Sequence, residues 1–141
     1  MLIPKYASLL LIICVSPLLR AADAIDFNRD IRPILSSNCF LCHGPDAADR
    51  KANLRLDTRE GATRPNDGIS AINPDDLADS EFLHRITSQD EDEVMPPPES
   101  HQVLSTEQKE LLKQWILSGA EYKEHWAFLQ PSKAKVAPTE N

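Results

Sequence analysis

Apolar residues return at helical spacing in three stretches of the 141-residue chain, and long polar segments separate them. In the first stretch Phe27, Ile31, Ile34, Leu35 and Leu41 recur at intervals close to 3.6 residues, which places them on one stripe of a helix. Pro33 is tolerated only in a first turn, because deeper in a helix it removes a hydrogen bond and collides with the preceding turn. The regular helix is therefore expected to start near Ile31, with residues 26–30 as a lead-in and Gly44-Pro45 as its stop. The second stretch, residues 78–88, turns Phe82, Leu83 and Ile86 inward and offers Asp79 or Ser80 as an N-cap. The third opens on Ser105-Thr106-Glu107-Gln108, a capping box in which each end satisfies an orphan backbone N–H of the other. Leu111, Leu112, Trp115 and Ile116 form its apolar face, and Gly119 supplies a C-terminal stop.

The segments between these stretches read as loops. Residues 44–68 hold two strong core candidates, Leu54 and Leu56, and room for a short helical turn after Asp57. Residues 88–102, SQDEDEVMPPPESHQ, are too rich in acid and proline for regular structure. The polar, proline-containing residues 129–141 read as a disordered tail or the start of a linker. There is no internal repeat.

The N-terminal 24 residues stand apart from this pattern. Lys5 precedes an apolar run over residues 7–19, and Ala22-Asp23-Ala24 gives the small-x-small site of a signal peptidase. The run is short for a membrane span, and Arg20 with the cleavage site closes it against the competing reading of an uncleaved anchor. Ile13 stands where a lipoprotein signal needs a small residue before its cysteine. Residues 1–24 are thus expected to be a secretory signal, with a mature domain over 25–128 placed in the periplasm or another extracytoplasmic space. No stable membrane insertion is expected after cleavage.

Cleavage changes the charge and the cysteine count. Basic residues fall from 15 to 13 and acidic ones from 22 to 21, so net charge moves from −7 to −8. An acidic domain of this size is a poor nucleic-acid binder. Cys14 leaves with the signal, and Cys39 and Cys42 remain. A disulfide between them would close too short a loop to stabilise anything, so the pair reads as chemistry rather than framework. Aromatic content is low and prolines number eleven, and a core this thin would gain from a large apolar cofactor.

The pair belongs to CFLCHG, residues 39–44. In C-x-x-C-H two thiols one helical turn apart can add to the two vinyl groups of one haem, and the adjacent histidine binds its iron. Cys39 and Cys42 are the thioether candidates and His43 the proximal ligand. A zinc site would need further ligands, and the remaining histidines His84, His101 and His125 are scattered. A thioredoxin-like dithiol would need a strand before the motif and a helix after it, whereas this motif ends a helix. The haem reading in turn demands a sixth ligand. Apart from the initiator the sequence has one methionine, Met95, in VMPPPES, where a proline run can hold the thioether in a fixed direction. A loop methionine touching the core, or His101 as the distal ligand, are the competing readings. His84 belongs to the surface or to the surroundings of the site, and His125 packs near the domain's end.

FNRDIRPILSSNCFLCHGPD, NLRLDTREGA, MPPPES and LSTEQKELLKQWILSGAEYKEHWAF together resemble the planctomycete-type cytochrome c domain, over nearly all of the mature chain. The resemblance implies a small all-α fold of the class I cytochrome c type, about three main helices with long loops around one covalent haem c. It implies that Cys39 and Cys42 attach the haem, that His43 is the proximal iron ligand and that Met95 is the distal one. Family members generally continue for hundreds of residues after H-W-A-F, so a free-standing carrier and the front of a larger redox protein are both open.

Trp115 is expected to pack near the haem, and the helix bearing the motif is expected to lie against the helix over 105–119. The functional expectation is an exported monohaem carrier of one electron by Fe(III)/Fe(II) cycling, not itself an enzyme. The alternative is a haem-based ligand sensor or docking module. The acidic run DEDE, residues 90–93, is either a solvated face or a set of carboxylates that lowers the potential and steers a basic redox partner.

Overall fold

A computed structural model describes residues 24–124 and Ala127. The expected signal over residues 1–24, the expected tail over 129–141 and the placement of His125 lie, apart from Ala24, outside the described residues. Among the described residues the fold is all helical, and the only extended pairing is an isolated bridge between Asn66 and Ile69.

The chain enters through one wide, π-type turn, Phe27–Ile31, whose Asp26 carboxylate accepts from the Asn28 and Arg29 amides. Helix α1, Arg32–Asn38, follows with Pro33 in its first turn, where its missing N–H costs nothing. The expected continuous helix then breaks. Cys39 leaves helical geometry at φ −127°, and a separate single turn, α2, runs over Phe40–His43. The break shifts the phase of the apolar stripe. Leu41, expected to continue the buried face, is instead 77% exposed.

Helix α3, Arg59–Thr63, is the short turn expected after Asp57, capped by the Thr58 hydroxyl, which accepts from the Gly61 amide. Helix α4, Glu81–Thr87, is shorter than its sequence pattern, because residues Leu77–Asp79 form a separate 3₁₀ turn. Ser80 occupies the N-cap position but does not cap. It is buried, and its hydroxyl accepts from the Asn73 amide and donates to the Leu77 carbonyl, tying the incoming loop to α4. Helix α5, Thr106–Leu117, begins with the expected capping box. It ends in a Schellman arrangement, with Gly119 N–H donating to Ile116 and Ala120 N–H to Trp115 at 2.9 and 3.0 Å. Gly119 sits at φ +114°, which suits a residue without a Cβ.

The core gathers Phe27, Ile31 and Leu35 from the N-terminal segment, Ile86 from α4, and Leu112 and Ile116 from α5, all sealed from solvent. Ile72 from the loop before α4 completes it. The entry turn packs on α1 and α5, α2 packs on α1, and α4 packs on α5. The helix bearing the motif is expected to lie against α5, but the main contact is made instead by the entry turn Phe27–Ile31 that precedes it.

Past α5 the chain returns along the N-terminal segment as an extended strap, and its carbonyls are held by side chains from elsewhere. Arg59 donates to Gly119 and Ala120, Trp115 Nε1 to Glu121, Arg32 to Lys123 and Asn28 to Glu124. The Lys123 ammonium pairs with Asp26 at 2.8 Å.

Candidate functional site

The motif turn is built by ordinary helical bonding. The Cys42 and His43 amides both donate to the Cys39 carbonyl, at 3.2 and 2.8 Å, which places the two thiols one turn apart. Gly44 ends the turn with extended backbone. A Cβ here would lie 2.2 Å from the Phe40 carbonyl oxygen, so the chain can leave the turn in this direction only through a glycine.

Both cysteines are unpaired and half-buried. Burial, reinforced by the neighbouring Cys42, pushes the Cys39 thiol up to about 12. A thiol held protonated in this way is no activated redox nucleophile. The segment before the motif is α1 and not a strand, which also departs from a thioredoxin-like site. Among the described residues no three His, Cys, Asp or Glu side chains converge as a metal site, so the two thiols and the imidazole do not form a clip around one ion.

His43 is half-buried, and its Nδ1 is buried without a hydrogen-bond partner among the described residues. Burial lowers its pKa below the ordinary histidine value, opposed in part by the nearby Lys51 backbone, although Nδ1 reaches no acceptor at hydrogen-bonding geometry. The ring is therefore a neutral imidazole with an unmet buried nitrogen, the protonation state that a metal ligand requires. Two separate thiols one turn apart beside a neutral imidazole are of the types and spacing that a covalent haem would take.

The exit from the motif is fixed by the segment that follows it. Lys51 N–H donates to the Cys42 carbonyl at 2.7 Å, and Leu56 N–H donates to the His43 carbonyl at 2.8 Å. The Arg50 guanidinium donates from Nε to Gly44 at 3.1 Å and from Nη2 to Pro45 at 2.7 Å. Downstream, Arg55 forms a two-pronged ion pair with Asp57. Burial pushes the Asp57 carboxyl up, but the Arg55 hydrogen bonds and charge outweigh it, with Arg50 contributing, and the net shift is downward.

Tyr122 closes the same region from the strap. Its hydroxyl donates to the Leu56 carbonyl at 3.2 Å, and burial raises its pKa, with the Asp57 carboxylate adding to the shift. Its ring lies 4.7 Å from Phe27 and 5.1 Å from Trp115 between centroids. Trp115 is thus buried in an aromatic trio, and one ring of that trio, Tyr122, packs against the same core as Cys39. Neither Arg50 nor Tyr122 carried a signal in the sequence, since both contribute through side chains that reach across loops.

Met95 is half-buried in its proline loop. Its amide donates to the Arg85 carbonyl at the end of α4, and Arg85 in turn donates to the Glu93 carbonyl. The loop is tied to the end of a helix and is not free. His84 and His101 are both exposed, and His101 sits in the left-handed region at φ +57°. Residues 90–93 are all exposed. No motif residue lines either of two recesses, one of about 200 Å3 lined by Asn53, Leu54 and Arg64 among others, and one of about 520 Å3 along α5.

Residues 39–99 match the family described as Planctomycete cytochrome C. The matched stretch starts on the first cysteine of the motif and includes His43 and Met95. No curated protein and no solved structure matches the chain.

Proposed function

We propose, from the match of residues 39–99 to the family described as Planctomycete cytochrome C, an exported monohaem carrier of single electrons. The family implies covalently bound haem c, and electron carriage in place of substrate conversion. One observation carries the assignment of residues. A single helical turn presents two unpaired thiols and a neutral, partly buried imidazole that do not converge on one ion. In this reading Cys39 and Cys42 hold the haem and His43 binds its iron. The haem supplies one-electron Fe(III)/Fe(II) cycling.

The protein's own work is to orient and shield. The α1–α2 break turns Cys39 inward against the core, while Leu41 faces solvent. The tether from the Met95 amide to α4 gives that thioether a fixed base from which to serve as the distal ligand. Trp115 is proposed to pack the haem side of the core, through the aromatic trio, since Tyr122 and Cys39 pack against that same core. Export rests on the apolar leader and the Ala22-Asp23-Ala24 site. No helix among the described residues is long and apolar enough to cross a membrane.

A pyridine haemochrome assay on protein matured in a periplasm tests the reading. One haem per chain, lost in Cys39→Ser/Cys42→Ser, is the expected result, and no haem in the wild type sinks it. A methionine-to-iron charge-transfer band in the ferric form, absent in Met95→Ala, tests the distal ligand. Carbon monoxide binding by the ferrous wild type would instead favour an open, ligand-sensing iron.

A further inference from the structure

A helix leaves its last carbonyls without partners inside the helix, and those groups take water, a cap or a specific donor. The motif turn disposes of them in an unusual way. Four successive carbonyls, those of Cys42, His43, Gly44 and Pro45, each accept a hydrogen bond from the short segment 50–56. Two of the donors are backbone amides, Lys51 and Leu56. The other two belong to one side chain, the guanidinium of Arg50.

The planar fork of an arginine suits this task. Its donors are fixed relative to one another, so holding two neighbouring carbonyls also fixes the direction in which the chain leaves the turn. Gly44 permits that direction, and Arg50 selects it. Arg50 is half-buried, and it also supports Asp57, which anchors Arg55 in the same segment. The His43 ring meanwhile has no side-chain partner at Nδ1. No hydrogen bond at Nδ1 among the described residues fixes its plane, so the plane is left to the packing of segment 50–56 on the turn, whose Lys51 backbone lies near the ring.

We propose that Arg50 is a positioning residue for the axial histidine: by gripping the Gly44 and Pro45 carbonyls it locks segment 50–56 onto the motif turn and so sets the plane of the His43 imidazole. The inference rests on the haem reading given above. Its hydrogen bonds go to backbone carbonyls, so it acts through the backbone.

The molecule contains its own control. Arg59 also grips two successive carbonyls, Gly119 and Ala120, at 2.9 and 2.8 Å, but on the strap and not on the motif. The test compares Arg50→Ala, Arg50→Lys and Arg59→Ala in the haem-loaded full chain. One readout is amide hydrogen exchange at Lys51 and Leu56, and the other is the set of haem-methyl shifts in the proton NMR spectrum of the ferric form, which follow the axial imidazole plane. Arg50→Ala is expected to speed exchange at both amides at least tenfold and to move the haem-methyl signals. Arg50→Lys, with one ammonium for two carbonyls, is expected to fall between it and the wild type. Arg59→Ala is expected to lower the melting temperature and leave both readouts in place.

If Arg50→Ala and Arg59→Ala change both readouts alike, or if Arg50→Ala matches the wild type, the proposal is overturned. Should Arg50→Ala not accumulate, Arg50→Lys against Arg59→Ala decides by the same two readouts. A wild type that carries no haem removes the functional reading, and this inference with it. A haem-loaded wild type with an indifferent Arg50 removes the inference alone.

Discussion

At the scale of single residues, the motif depends on Gly44 for space and not for backbone freedom. Its φ of −112° is open to any residue, but a Cβ would press within 2.2 Å of the Phe40 carbonyl oxygen. The obstacle is backbone and cannot rotate away. Gly44→Ala is expected to cost about 1–3 kcal/mol, the range for overpacking, and to lower the yield of haem-loaded protein. Urea unfolding with a haem stain checks both. Asp57 gives a second prediction, through pH. Its net pKa shift is downward, because Arg55 outweighs burial, so the folded state binds its proton less readily than the unfolded chain. Asp57 therefore contributes stability above the ordinary carboxylate value of 3.8, and that contribution fades as pH falls through its lowered pKa. Asp57→Asn should be less stable by about 1 kcal/mol at neutral pH, a figure discounted because Arg55 is one-third exposed. The gap should close below pH 3.8, as read by urea titration at each pH. A gap that stays constant with pH would assign the effect to shape instead of charge.

Elements whose signals are local were legible in the sequence, and elements settled by tertiary contact were not. The capping box, Pro33 in a first turn and the Gly119 stop all involve bonds within four or five residues, and the structure contains each of them. Ser105→Ala is accordingly expected to cost about 1 kcal/mol of stability, measurable as a lower urea midpoint at unchanged slope. Ser80→Ala should differ in kind. Ser80 stands at a helix start yet bonds to Asn73 and Leu77, so its loss should loosen the loop before α4 and leave the end of the helix unaffected. The stripe through Leu41 misled because periodicity assumes an unbroken helix, and the break at Cys39 resets the phase. Ile72 and Leu104 escaped notice for a related reason. Each is a buried residue in a loop, with no neighbours at regular spacing to announce it. The candidate site divides in the same way. Cys39, Cys42, His43 and Met95 were read from type and spacing, whereas the supports from Arg50 and Tyr122 span loops and leave no pattern.

At the scale of the whole molecule, some carboxylates are paired and others are open to solvent. Carboxylates with basic partners include Asp26 with Lys123 and Asp30 with Arg29 at the entry turn, Asp57 with Arg55 after the motif, and Glu81 with Arg85 on α4. The run at 90–93 differs. All four residues are exposed, and their described hydrogen bonds are local, such as Asp90 accepting from the Asp92 amide and Glu93 accepting from Ser88. The run directly precedes the loop of the proposed distal ligand, so its field would fall on an iron bound there. Negative charge near that site favours the ferric form and lowers the midpoint potential, and it attracts a basic partner over about one Debye length. Replacing all four with Asn and Gln is therefore expected to raise the midpoint potential in voltammetry. It should also slow electron exchange with a basic redox protein at low salt, with the difference from wild type shrinking near 0.15 M salt, where the Debye length is about 8 Å. The fold should be unaffected, because none of these side chains enters the core. A variant with unchanged potential and unchanged salt dependence would reduce the run to a solvated face and leave the partner's charge to be set elsewhere on the surface.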